Sequence, residues 1–385
     1  MYTYTRWQSI VMLFLGFSAG LPFLLVFSTL NARLADVGVE TATIGFFSWL
    51  GITYSIKVIW APVVDRLKLP LLDRLFGKRR SWILLAQAGI ALGLFLMATV
   101  DPVKAPEMMA LCGLLVAFSS ATQDVAIDAY RIEIAEERLQ AALAGTYIFG
   151  YRLALLVAGA GALYLAAFWS WEVSYLVMAA LVGVGALTVL LAREPEVNHY
   201  AAAQDIAHKI EEEASKRTHL PPRVARFVGW FYAAIAGPFV DFFRRYKELA
   251  IAILVLVAVY RISDIAMGVM ANPFYLNFMG FSKTEVADVT KVFGFLMTIV
   301  GSLVGGVLVM RYGVRRILLA GAVLTAATNL LFVWLAQNPP DLVTLAVVVS
   351  ADNLSGGIAN VALIAWLSSM TSASFTATQY ALFSS

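Results

Sequence analysis

The sequence predicts an all-α fold that crosses a membrane many times and is built as two helical bundles joined by a long polar connection. Composition is the first observation: hydrophobic residues make up 61% of the chain and charged residues 14%, against about 45–50% and about 25% in a typical soluble domain. The second is that the apolar residues fall in runs of membrane-spanning length. The third is that the basic residues concentrate in alternate loops. These features exclude a water-soluble fold, and a net charge of +3 spread over such loops gives no nucleic-acid-binding surface.

The apolar runs approach the ~20 residues that a helix needs to cross a hydrocarbon layer of ~30 Å. They are too long for the alternating strands of a membrane barrel, and a helix satisfies every backbone amide internally. The first run has no small-residue cleavage site behind it and therefore predicts a membrane helix, not a signal peptide. A further helix starts near Phe375 without reaching spanning length, so we expect the last helices, 11 and 12, to be missing or truncated. The predicted spans are 8–30, 42–62, 81–100, 107–130, 142–168, 172–192, 249–279, 285–310, 315–336 and 341–371.

One long connection divides the chain into domains. Residues 1–192 form a predicted six-helix bundle, residues 193–248 a linker, and residues 249–385 a second, incomplete bundle. The first part of the linker is charged, whereas the second part mixes aromatic residues with arginines. That mixture predicts an amphipathic helix on the membrane surface, with a solvated linker as the alternative.

The distribution of lysine and arginine predicts the orientation. If the N-terminus is cytoplasmic, the outer loops hold only Arg33, Lys104 and Lys283 of the 28 basic residues. Cytoplasmic loops are enriched in lysine and arginine, so this arrangement predicts a multi-pass protein of the bacterial inner membrane with a cytoplasmic N-terminus. The lipid bilayer is therefore the first partner that the sequence predicts.

A weak internal repeat links the two halves. A basic turn follows the second helix of each half: the first runs from Asp65 to Arg80 with an insertion, and the second surrounds Arg311. Matching turns are typical of two bundles related by an axis along the membrane normal. They resemble the signature loop of the major facilitator superfamily, although Met310 stands where that pattern has Asp. The resemblance implies a conformational gating loop formed by Asp65, Arg66, Arg79, Arg80 and Arg311.

Short motifs along the whole chain resemble the AmpG-type muropeptide permeases of that superfamily. They begin at Gly16, Thr43, Ala121, Gly150, Asp352 and Ser374, and read GFSAGLP, TIGFFS, ATQD, GYRL, DNLSGG and SFTATQY. The resemblance implies a major-facilitator-like fold of two bundles. It also implies proton-coupled import of anhydro-muropeptides, the GlcNAc-anhydro-MurNAc peptides of peptidoglycan recycling, by a transporter whose activity influences β-lactamase induction. We expect this transporter to be a monomer.

Polar groups inside the predicted spans are the candidate functional residues, because each costs roughly 2.5–3.5 kcal/mol to place in a bilayer. Ser120, Asp124 and Asp128 form one stripe of the fourth helix. Asp128 lies near the helix end, and we expect it to pair with Arg131 or with other basic loop residues. For Asp124 both structural pairing and contact with a proton or substrate are open.

Other charges in the spans supply further candidates for proton coupling and substrate binding. Arg261, Asp264 and Lys291 can form either a static buried network or a set in which a carboxylate exchanges its basic partner for a proton. With Asp124, the candidate proton-coupling residues are Asp264 and Asp352. Lys57 and Arg152 are candidate anchors for substrate carboxylates, and Arg152 can equally be the structural partner of Asp124.

A sugar-peptide ligand also needs aromatic faces and amide partners. Tyr54 and Tyr151 can stack on sugar rings or donate their hydroxyls, and Gln123 and Asn353 can match amides. The full set of candidate substrate contacts is therefore Gln123, Lys57, Tyr54, Tyr151, Arg152, Arg261, Lys291 and Asn353. Most aromatic residues of membrane helices serve packing, which is the alternative for each tyrosine.

Two other functions fit parts of the pattern. A membrane prenyltransferase binds Mg²⁺ through aspartates spaced like Asp124 and Asp128, but the second half has no comparable motif. A transporter of the same fold for another solute, such as acetyl-CoA, a siderophore or a drug, is the closer alternative. No cofactor or metal is predicted, and Cys112, the only cysteine, permits neither an intrachain disulfide nor a zinc site of paired cysteines.

Overall fold

The computed structural model describes residues 2–196, 236–260, 262, 267, 271, 273–372 and 375–384. Helices and turns form all of this described part, without a strand. The linker residues 197–235, with their part of the predicted amphipathic helix, lie outside it. So do Arg261 and Asp264, as does the side chain of Lys291.

Nine helices among the described residues are long and apolar enough to cross a membrane, as the composition predicts. A tenth, α9, is apolar but shorter within the described residues. The spans are α1 (Trp7–Asp36), α2 (Thr41–Ile59), α5 (Lys78–Thr99), α6 (Pro106–Glu133), α7 (Glu137–Phe168), α8 (Trp171–Leu191), α10 (Thr284–Tyr312), α11 (Val314–Ala336) and α12 (Leu342–Met370). The shorter helices are α3 (Ala61–Arg66), α4 (Leu72–Phe76), α9 (Leu249–Tyr260) and α13 (Thr376–Ser384).

Local sequence explains where several helices begin. Pro106 opens α6 at a position where a missing backbone N–H costs nothing. Ser170 caps α8 by accepting a hydrogen bond from the Val173 amide. Gly77, which precedes α5, has a φ of +85°, a conformation that glycine adopts without steric cost.

The described chain divides into two compact units. The first unit contains residues 1–9, 137–149 and 246–370, and the second contains 10–136, 150–245 and 371–385. In the first unit α10 and α11 each pack on α12, around a core that includes Tyr275, Leu335 and Leu345. These units differ from a simple division at the linker, because each also includes residues from the other half of the chain.

The second unit has the larger described core. Helix α5 packs against α6 and α8, and the fully buried Leu25, Leu30 and Leu94 lie in its centre. Small residues bring helices together: a side chain at Gly150 of α7 would collide with the Leu13 carbonyl of α1. Glycine at this position therefore permits the close contact between α1 and α7.

Candidate functional site

Five of the predicted site residues lie together in the second unit. Asp124 of α6 has Lys57 and Asp128 as its charged neighbours, and Tyr151 of α7 has Asp124, Tyr54 and Arg152 as its neighbours. Helices α2, α6 and α7 therefore contribute to a single group. We call it the Lys57 cluster, and it contains Tyr54, Lys57, Asp124, Tyr151 and Arg152.

The charged side chains of the Lys57 cluster are largely buried but not completely closed off from solvent. Lys57 is 8% exposed and lies in a 3₁₀ turn, Lys57–Ile59, near the end of α2. The Oδ1 atom of Asp124 is buried and has no hydrogen-bond partner among the described residues, and the buried Tyr54 hydroxyl lies beside the Ser120 hydroxyl. A buried polar atom without a partner is costly in a bilayer unless something binds it at another stage. The arrangement can bind a polar ligand or exchange a proton.

Aromatic rings extend the cluster on one side. The ring of Tyr54 lies 5.7 Å from that of Phe23 and 5.9 Å from that of Phe27, measured between centroids. Directly after α2, Trp60 donates a hydrogen bond of 3.1 Å to the Thr122 hydroxyl. These contacts hold α2 against α1 and α6, and they fix the ring of Tyr54 beside the charged groups.

Gln123 is fully buried and is engaged within the bundle. Its Nε2 donates to the Ser18 carbonyl at 3.1 Å, and its Oε1 accepts from the Ser18 hydroxyl at 3.0 Å. Gln87 of α5 donates to the same hydroxyl at 3.1 Å. These bonds tie α1, α5 and α6 together, so Gln123 packs helices in this conformation, and its predicted contact with substrate stays a prediction.

Asp128 pairs with Arg131, as the sequence predicts. Arg131 Nη2 lies 3.4 Å from Asp128 Oδ1, and the arginine side chain is 1% exposed. The Arg131 guanidinium also lies 5.1 Å from the centre of the Tyr380 ring. The pair therefore joins the end of α6 to α13.

A second charged group surrounds the predicted gating loop of the same unit. Arg79 Nη2 donates to Asp65 Oδ1 at 2.9 Å and to Glu133 Oε1 at 2.6 Å, while its Nε donates to Glu133 Oε2 at 2.9 Å. All three side chains are almost completely buried. A buried cation with two carboxylates is stable because each charge is paired and hydrogen-bonded.

Asp65 also holds the start of helix α13. Its carboxylate accepts from the Ala377 amide at 3.1 Å, the Thr378 amide at 2.7 Å and the Thr378 hydroxyl at 2.6 Å. The first amides of a helix have no partner inside the helix and carry partial positive charge, so a carboxylate is well suited to them. Asp65, Arg79, Glu133 and Thr378 are called the Asp65 cluster below.

Glu194 fixes the other side of the gating loop. Its carboxylate accepts from the Arg79 amide at 2.8 Å and the Arg80 amide at 3.1 Å, at the start of α5. Burial raises the pKa of Glu194, and these two amides oppose that effect. The Arg80 guanidinium donates to the Val189 carbonyl at 2.8 Å. The start of the linker is thereby attached to the loop.

Gln379 joins the end of the linker to α13. Its Nε2 donates to the Pro238 carbonyl at 3.0 Å and to Asp241 Oδ2 at 2.8 Å. Its Oε1 accepts from Arg245 Nη2 at 2.8 Å. Residues 236–245 are helical, and Gln379 holds this helix against the start of α13.

The first unit places the two remaining described candidates on α12. The Thr328 hydroxyl lies 3.3 Å from Asp352 Oδ1 and 3.1 Å from the Ser355 hydroxyl. Asn353 accepts from the Thr298 hydroxyl at 2.9 Å and donates to the Val349 carbonyl at 2.9 Å. The structure therefore places the Thr328 hydroxyl beside the Asp352 carboxylate and uses both ends of the Asn353 amide in packing.

Two further residues of the predicted gating loop have aromatic neighbours. The Arg66 guanidinium lies 5.8 Å from the centre of the Phe375 ring, and that of Arg311, in the first unit, 5.3 Å from the Tyr312 ring. Sequence reasoning missed Glu133, Glu194, Thr378 and Gln379 as site residues. Gln379 and Thr378 lie in the SFTATQY motif, which was the available signal for them.

The chain matches known transporters along almost its full length. Residues 9–385 match the Major Facilitator Superfamily. The anhydromuropeptide permease of Escherichia coli K12 is 33% identical over 378 residues, which are 98% of this chain and 70% of the permease. AmpG 4 of Rickettsia felis is 31% identical over 373 residues, covering 96% and 84% of the two chains.

Solved structures agree on the fold. The transporter FucP in the outward conformation superposes with a TM-score of 0.66 at 10% identity, covering 99% of this chain and 89% of FucP. The proton:xylose symporter XylE gives a TM-score of 0.63 at 12% identity, covering 99% and 86%. At such identities the likeness concerns the architecture alone.

Proposed function

This chain belongs to the Major Facilitator Superfamily and to its AmpG-type permeases, and we propose that it imports anhydromuropeptides from the periplasm into the cytoplasm by proton symport. It is a multi-pass membrane transporter, not an enzyme. The observation that carries the substrate proposal is the 33% identity to the Escherichia coli anhydromuropeptide permease over 98% of this chain. The inner membrane, with a cytoplasmic N-terminus, is the proposed location, which the scarcity of basic residues in the outer loops supports.

The Lys57 cluster is the proposed substrate site of this unit. A sugar-peptide ligand carries carboxylates on its peptide and flat faces on its sugar rings. Lys57 and Arg152 supply cations for the carboxylates, and Tyr54 and Tyr151 supply rings and hydroxyls. The buried Oδ1 atom of Asp124, which lacks a hydrogen-bond partner among the described residues, supports this assignment.

Asp124 is the proposed proton-coupling residue. In this conformation Lys57 is the cation beside Asp124, and Asp128 is a neighbouring acid. When a substrate carboxylate binds Lys57, Asp124 loses this cation, and a proton on Asp124 then removes the unpaired negative charge. Substrate and proton then bind together, which is what symport requires. Asp352, with its hydroxyl neighbour, and Asp264 are the proposed alternatives for the same role.

The Asp65 cluster is the proposed gate. Its bonds fasten α13 to α3 and, through Arg79, to α5, and a transport cycle has to release and re-form such attachments for access to alternate. Glu194 and Gln379 bring both ends of the linker to the same place. The bonds around Asp65 therefore support a role in holding one conformation.

Uptake of radiolabelled GlcNAc-anhydro-MurNAc-tripeptide into cells that lack their own permease tests the proposed substrate. We expect accumulation that excess unlabelled tripeptide abolishes and that excess free GlcNAc leaves unchanged. Lys57→Gln should reduce uptake at an unchanged protein level, whereas Lys104→Gln, in an exposed turn, serves as the matched control. Uptake equal to that of cells without the protein would refute the assignment of substrate.

A further inference from the structure

We propose that residues 67–76, here called the leucine loop, bind the surface of an anionic phospholipid leaflet. The loop reads LKLPLLDRLF and joins α3 to α5. Leu67, Leu71 and Leu75 are 45%, 77% and 69% exposed, although they lie outside the membrane spans. Three leucines repeated every four residues are costly to leave in water, so something apolar must cover them.

The position of the loop identifies the covering surface. Arg66 ends α3 and Lys78 starts α5, a helix that crosses the membrane. The connection between them is short, so the leucines lie close to the level where the spans leave the hydrocarbon layer. An amphipathic segment at this level inserts its apolar side chains by about 5–10 Å into the boundary between headgroups and acyl chains.

Contacts within the unit orient the loop. Trp82 donates a hydrogen bond of 3.0 Å from Nε1 to the Leu67 carbonyl, and the Arg80 guanidinium lies 5.7 Å from the centre of the Phe76 ring. Phe76 and the backbone at residue 67 therefore face α5, which leaves the leucine side chains outward. The leucine loop also forms a shallow cavity of about 460 Å³, which is lined by Leu69, Pro70, Leu71, Leu72 and Arg74.

Charge complementarity selects an anionic surface. Lys68 and Arg74 are exposed beside the leucines, and Asp73, the only acid in the loop sequence, is half-buried. A basic side chain next to an anionic leaflet favours insertion by about fivefold. The cavity beside Arg74 accepts the upper part of an acyl chain while the guanidinium binds the phosphate.

A fluorescent probe at position 71 tests the proposal. Leu71→Cys in a Cys112→Ala background is labelled with bimane and reconstituted as the full chain in vesicles. One set contains phosphatidylcholine alone and the other a 3:1 mixture with phosphatidylglycerol, and both carry lipids with a nitroxide near the headgroup. We expect quenching by the lipid nitroxide that increases with phosphatidylglycerol, together with protection from aqueous acrylamide.

Two comparisons make the test specific. Lys68→Gln with Arg74→Gln should remove the increase caused by phosphatidylglycerol. Val103→Cys, a 56% exposed site in the turn that holds Asp101 and Lys104, should show no such increase. Free access of acrylamide to position 71 would overturn the proposal, and so would quenching that depends on neither phosphatidylglycerol nor the two basic residues. The result does not depend on whether the chain transports muropeptides.

Discussion

Replacing Asp65 by alanine should destabilise the protein strongly, because one carboxylate serves both Arg79 and the start of α13. The change removes a buried ion pair of 2.9 Å and three hydrogen bonds of 2.6–3.1 Å. Losing one partner of a buried pair costs about 3–5 kcal/mol, and Arg79 keeps its two bonds to Glu133. We therefore expect the free energy of unfolding to fall by about 3–5 kcal/mol. The melting temperature in detergent should fall clearly as well.

Three further variants separate the contribution of the Thr378 hydroxyl bond from that of the Asp65 ion pair. Thr378→Val removes only the hydroxyl bond and should cost about 1–2 kcal/mol. Combined with Asp65→Ala it should add almost nothing, since the acceptor is already gone. Asp101→Ala, which breaks an exposed ion pair with Lys104, should change stability by less than about 1 kcal/mol. A melting temperature of Asp65→Ala that matches that of Asp101→Ala would refute the reasoning.

Three other outcomes follow from the same contacts and from the charge distribution. Arg33 donates to the Met97 and Val100 carbonyls at the end of α5 at 2.6 and 3.2 Å, so Arg33→Ala should lower stability by about 2–3 kcal/mol in thermal unfolding. Gln123→Ala removes two bonds to Ser18 and should cost about 1–3 kcal/mol; unchanged unfolding would contradict its packing role. A cysteine at position 204 should be shielded from impermeant reagents in intact cells while one at Lys104 is labelled, and the reverse pattern would contradict the orientation.

The membrane fold could be predicted from the sequence because it depends on composition and run length. The buried Asp128–Arg131 pair could be predicted as well, because a spacing of three residues on one helix places the two side chains side by side. The position of the basic turn between α3 and α5 could be read from its lysines and arginines, which mark the cations but not their partners, and its gating role stays a prediction. Tertiary packing supplies those partners from distant parts of the chain.

Asp65 and Thr378 illustrate why the partners escaped prediction. They are 313 residues apart in the sequence, and no local periodicity connects them. Gln123 shows the complementary problem: a glutamine in a membrane helix has the same sequence signature whether it binds a ligand or a neighbouring helix. Only the position of Ser18 distinguishes the two, and that position depends on how α1 packs against α6.

Proton-driven accumulation in proteoliposomes is the most direct test of proton symport. The purified protein is given labelled anhydro-muropeptide and an inward acid gradient. The account predicts accumulation above the external concentration, loss of accumulation with a protonophore, and for Asp124→Asn a loss of accumulation with energy-independent exchange retained. Accumulation that ignores the gradient, or an Asp124→Asn protein that accumulates normally, would contradict proton symport through Asp124.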